Sequence, residues 1–111
     1  MPSVPIPLGT LRDMPVYAVE YTYAHTPDAV AVRDEVRPAH RDFLRGLERD
    51  GRLLASGPFT GSPGALLLVR GDDADEALRA LDADPFAAAG IIADREARAW
   101  EPVIGPWASA L

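Results

Sequence analysis

Cysteine is absent from this 111-residue chain, lysine is absent too, and histidine occurs only twice. Without cysteine there is no disulfide framework, no thiolate nucleophile and no cysteine metal site. Two histidines are too few for a histidine-rich metal centre. All 11 basic side chains are arginine, against 17 acidic ones, and the formal net charge is −6. That balance argues against nucleic acid as a partner, because a basic patch is needed to displace phosphate counterions. No apolar run approaches the roughly 20 residues of a membrane span. Met1 to Asp13 lacks the basic start and apolar centre of a signal peptide. The expectation is a cytoplasmic protein with neither a membrane nor nucleic acid as partner.

What is present reads as one domain with two appendages. Residues 1–13 hold three prolines without a period and read as a flexible N-terminal arm; residues 104–111 read as a C-terminal tail carrying Trp107. Between them, 14–103 alternates strand and helix signals. Pro15 to Tyr23 has period two, with Tyr17, Val19, Tyr21 and Tyr23 on one face. Thr26-Pro27-Asp28 is a helix start: a capping hydroxyl, a proline at the first helical position and an acid in the first turn. Pro38 removes the donor to the Asp34 carbonyl, which predicts a kink or break at Val36–Arg37 before the helix resumes to about Asp50 and stops at Gly51.

Arg52 to Pro58 and Ala65 to Arg70 read as a hairpin, with Leu54 and Ser56 together on one face. Asp72, with Asp75, reads as the cap of a second helix striped by Ala74, Ala77, Leu78 and Leu81. Asp84-Pro85-Phe86 starts a short extra turn, and Ile91 to Val103 contains the last strand, with Arg98 and Trp100 projecting from the face opposite Ala97 and Ala99. The order βαββαβ predicts an α+β, ferredoxin-like sandwich: an antiparallel sheet with helices on one face. The other face, expected to show tyrosines, leucines, Ser56 and Trp100, is too apolar to leave in water. A second copy covers it most simply, so a homodimer is expected.

His40 stands at the centre of the apolar stripe formed by Val36, Phe43, Leu44 and Leu47. Its imidazole is therefore aimed into the core or into a cleft. Two readings stand side by side: a neutral core histidine bonded to backbone, and a base at the floor of a pocket. The glycines at Ser56-Gly57-Pro58 and Gly61-Ser62-Pro63-Gly64 do not make a phosphate-binding fingerprint. No nucleophile elbow surrounds Ser56, and His25 sits before a loop Thr-Pro and reads as solvated. Arg37 and Arg98 are candidate anchors for an anionic substrate.

Three segments, Arg37-Pro38-Ala39-His40, Gly51-Arg-Leu-Leu-Ala-Ser-Gly-Pro58 and Asp84-Pro85-Phe86 with Ala89-Gly90, resemble in order and spacing the YciI-like (YCII-related) family of dimeric α+β barrel proteins. The resemblance runs from residue 15 to about 103. It implies a ferredoxin-like protomer, a fold related to that of muconolactone isomerases, and a His-Asp dyad that maps onto His40 and Asp84. It also implies cofactor-free lyase or isomerase chemistry of the dehydrochlorinase kind on a small cyclic or phenolic molecule. Ser56, Arg98 and Trp100 then become candidate substrate-binding residues, with no metal and no cofactor. Read from the residues alone, Asp84 before Pro85 is equally a helix cap, and a non-catalytic ligand-binding or accessory dimer with a structural His40 remains the alternative.

Overall fold

In the computed structural model, which describes residues 13–110, the alternating stretch Val16–Tyr23 is strand β1, an inner strand of a four-stranded sheet. After it come α1 (Pro27–Arg49), β2 (Leu53–Pro58), β3 (Gly64–Arg70), α2 (Ala74–Ala80), α3 (Pro85–Ala88), β4 (Ile92–Trp100) and α4 (Pro106–Ala110). The strands lie in the order β2-β3-β1-β4 and every neighbouring pair is antiparallel. This is the ferredoxin-like α+β arrangement. The expected N-terminal arm lies outside the described residues except for Asp13.

The sheet meets its helices on the face of Val19, Tyr21 and Tyr23, which are buried with Leu67 and Val69 of β3 against Leu44, Ala77, Leu81 and Phe86. The expected alternation is present, but the tyrosines turn toward the helices and not toward the open face. Glu20 explains why. The set that shares its face also holds Thr22, both exposed, and a carboxylate placed under the helices would need a buried partner. The open face is consequently more polar than expected. Register places Glu20, Thr22, Asp94, Glu96, Arg98 and Trp100 on it beside Ala18, Leu66 and Leu68.

Helix α1 begins as its sequence dictates, with Thr26 Oγ1 accepting from the Ala29 amide at 3.1 Å and Pro27 in the first turn. It ends in a Schellman pattern: Gly51 at φ 82°, its amide on the Glu48 carbonyl and the Arg52 amide on the Leu47 carbonyl, both at 2.9 Å. The expected break at Val36–Arg37 is not found; one helix runs through Pro38. Pro38 and Asp34 both lie on the exposed side, where water can serve the carbonyl that proline deprives of its donor.

Two further expectations are corrected, and the tail adds one element. The cap of α2 is Asp73, whose Oδ1 accepts from the Glu76 amide at 2.8 Å, while Glu76 reaches back to the Asp72 amide at 3.1 Å. The box is thus shifted one residue from Asp72 and Asp75. The tail contains a short helix, α4. In β2 the pairing runs Leu53 with Val69 and then Ala55 with Leu68, so Leu54 is an extra residue and the strand changes phase there. Beyond the bulge Ser56 pairs with the fully buried Leu67 and joins the helix face, not the open face with Leu54.

Candidate active site

Asp84 is fully buried, and its carboxylate takes part in three hydrogen bonds. As the N-cap of α3, its Oδ1 accepts from the Phe86 amide at 2.9 Å. The same oxygen lies 2.7 Å from Nδ1 of His40, and Oδ2 accepts from the Tyr21 hydroxyl at 3.0 Å. Such a set of donors is what makes a buried carboxylate tolerable. With the carboxylate ionised and the imidazole neutral, Nδ1 donates to Asp84 and Nε2 presents a lone pair. Burial, reinforced by the charge of Asp84 and the hydrogen bond to it, pushes the Tyr21 hydroxyl well above the ordinary tyrosine range. Tyr21 is therefore a fixed donor.

Packing holds the imidazole as firmly as the hydrogen bond does. The ring stacks on Phe86 with centroids 3.8 Å apart and planes inclined by 8°, and Tyr23 meets the other edge of that cluster, T-shaped on Phe86 at 5.5 Å. His40 comes from the middle of α1, Asp84 and Phe86 from the start of α3, and Tyr21 and Tyr23 from β1. Three elements thus fix one ring. His40 is 8% exposed, and what is exposed borders a cleft of about 310 Å³ between α1, the end of β2 and the start of β3. Nε2 has no hydrogen-bond partner among the described residues.

The cleft brings together His40, Ser56, Phe59, Leu67 and Phe86, with Arg33, Arg37 and Arg41 along its α1 side. Burial, with Asp84 second, pushes the Tyr23 hydroxyl up to about 12 against the opposing pull of Arg33 and Arg37. Arg98 and Trp100 do not line it; they sit on the opposite face of the sheet, Arg98 bonded to Glu96 at 3.3 Å and Trp100 40% exposed. His25 is exposed. Among the described residues no group of three or more His, Asp or Glu side chains stands close enough to hold a metal ion. No helix among them is long and apolar enough to cross a membrane.

Sequence reasoning missed two members of this constellation. Tyr21 was legible only as one of a row of buried aromatics, because its partner lies 63 residues away. Arg33 had a local signal: at seven residues before His40 it lies about 20° from it around the helix axis.

Fold and site together describe a small α+β protein with a buried His40–Asp84 pair between its helices, beside a cleft. The YCII-related domain model matches residues 17–101, and the chain belongs to that family. Among curated relatives, Protein YciI of Escherichia coli O6:H1 and that of Shigella flexneri are each 34% identical to this chain over 74 residues, covering 58% of it and 76% of the relative. Among solved structures, the fold is similar to that of 5-chloro-2-hydroxyhydroquinone dehydrochlorinase from Burkholderia phenoliruptrix in complex with 2,5-dihydroxybenzoquinone. The TM-score is 0.65 at 22% identity, over 78% of this chain and 93% of that one.

Proposed function

We propose that this chain is an enzyme of lyase or isomerase type that acts on a small organic substrate, with His40 as general base and Asp84 as the group that orients it. The observation that supports this reading most is the 2.7 Å contact between Nδ1 and a fully buried carboxylate, on a histidine that also lines a cleft. Nε2 takes a proton from a carbon next to a carbonyl or hydroxyl-bearing ring carbon. The C–H electron pair then forms a double bond, either expelling a leaving group such as chloride from the adjacent carbon or being reprotonated elsewhere. General-base help of this kind is worth about 10²–10⁴ in rate. The dehydrochlorinase of like fold performs a reaction of that class and accommodates a quinone, which supports the reaction type and a cyclic substrate. Ser56, which also lines the cleft, would hold a polar substituent of the substrate.

The test follows chloride release and deuterium incorporation from solvent over a panel of chlorinated hydroquinones and cyclic ketones. Wild-type turnover reduced at least hundredfold in His40→Gln is the expected result. Equal turnover in that variant, or binding without turnover throughout, would overturn the reading.

The open sheet face, with Trp100 40% exposed beside Val16 and Ala18, is the surface on which a homodimer would form. Arg98 and Trp100 would then act at an interface and not in the cleft of their own protomer. Light scattering at micromolar concentration tests this, and a clean monomer would dismiss it.

A further inference from the structure

Arg33 and His40 line the same cleft from one side of α1. The Arg33 guanidinium carbon lies over the Tyr23 ring, 5.1 Å from its centre, a contact that fixes the head without using its N–H donors. Nη1 is buried yet has no hydrogen-bond partner among the described residues. A guanidinium does not escape this by losing a proton, so the unmet donor carries a desolvation cost. Arg37 and Arg41 follow at four-residue steps along the cleft, whereas no Asp or Glu among the described residues lines it. Arg37 is held by Asp34 at 2.7 Å; Arg41 has no ion pair among the described residues. In a chain of net charge −6 this local positive excess belongs to the cleft and not to the surface at large.

We propose that the cleft takes a small organic monoanion whose charged oxygen, carboxylate or phenolate, binds Nη1 of Arg33 while its apolar body rests against Phe59 and Leu67. The proposal names the substrate class of the site described above and rests on that reading only in setting a substrate carbon beside His40. Chemically the arrangement is coherent. When a proton leaves carbon, charge passes to the conjugated oxygen, and a preorganised cation at that oxygen stabilises it.

Calorimetric titration decides the matter with benzoate, its neutral counterpart benzamide, and 4-nitrophenol followed across its own ionisation. Wild type is expected to bind benzoate at least about tenfold more tightly than benzamide, and Arg33→Gln to remove that difference by weakening benzoate alone. Nitrophenol binding that tightens with ionisation extends the site to phenolates; a flat response assigns it to carboxylates. Benzamide binding as well as benzoate, no benzoate binding by wild type, or unchanged benzoate affinity in folded Arg33→Gln would overturn the proposal. If circular dichroism shows that variant unfolded, Arg33→Lys decides. It keeps the charge but loses the planar fork, so unchanged benzoate affinity there is equally fatal. Charge-selective binding without any proton transfer would remove the catalytic reading and leave this one standing; proton transfer with charge-blind binding would do the reverse.

Discussion

Asp84 holds His40 with the same oxygen that caps α3: Oδ1 lies 2.7 Å from the imidazole Nδ1 and accepts the Phe86 amide at 2.9 Å. Capping and orienting the histidine are therefore one arrangement and not competing assignments for this residue. Asparagine separates them. Its carbonyl oxygen can accept from both donors, and its amide can donate to the Tyr21 hydroxyl, so Asp84→Asn should keep the fold to within about 1 kcal/mol by urea denaturation. It cannot offer a negative charge to a protonated imidazole, and proton-transfer turnover should fall by about hundredfold or more. Asp84→Ala, by contrast, removes the cap and strands two buried donors, for an expected loss of about 3–5 kcal/mol. Full activity in the asparagine variant would leave only the cap.

Tyr21→Phe isolates the other carboxylate oxygen. The substitution keeps the ring in the core but leaves Oδ2 of a fully buried carboxylate without its donor at 3.0 Å. An unfolding midpoint lower by the equivalent of about 1–3 kcal/mol is expected. A neutral result would mean that water takes over the hydroxyl's place.

Period, capping and topology were legible in the chain because each is written locally. Thr26-Pro27-Asp28 starts α1 where the residues say, and Gly51 ends it through a positive φ. What could not be read there depends on partners distant in sequence. Which face of β1 meets the helices is decided by Glu20 against the tyrosines, a comparison of two burial costs and not a pattern. Ser56 was assigned to the wrong side because strict alternation through Leu54 ignores a bulge that only the pairing with β3 creates. Of the kink or break expected at Pro38, the break does not occur, because packing through Val36, His40 and Leu44 outweighs the loss of one solvent-side bond. His40 and Asp84 lie 44 residues apart; their contact followed from the family resemblance, not from spacing.

Alkaline stability gives a check on Tyr23. Its folded pKa, about 12, stands above its ordinary 10.0, chiefly through burial. The folded state thus holds the proton longer than the unfolded one. The resulting stability is complete below pH 10.0 and declines as pH rises through about 12. Two units correspond to roughly 2–3 kcal/mol. Thermal unfolding of wild type between about pH 9 and about pH 12 should show a steeper fall in Tm than Tyr23→Phe does. Parallel curves would contradict the assignment.

Two glycines at the cleft make opposite predictions although both line it. A Cβ at Gly64 would overlap the Tyr21 carbonyl oxygen, a backbone atom that cannot swing aside, and would press on Phe59 at 3.4 Å. Relief requires β1 and β3 to separate where Gly64 pairs with Thr22, one residue from the tyrosine that holds Asp84. Gly64→Ala should therefore cost about 1–3 kcal/mol and, by moving Tyr21, also weaken proton transfer. At Gly57 a Cβ meets nothing within 4 Å, and the φ is not in the left-handed region. Gly57→Ala should stay within about 0.5 kcal/mol of wild type with activity intact. Both variants would be followed by urea denaturation and by turnover. A Gly64→Ala protein as stable and as active as Gly57→Ala would show that β1 is not held by close backbone contact at this point.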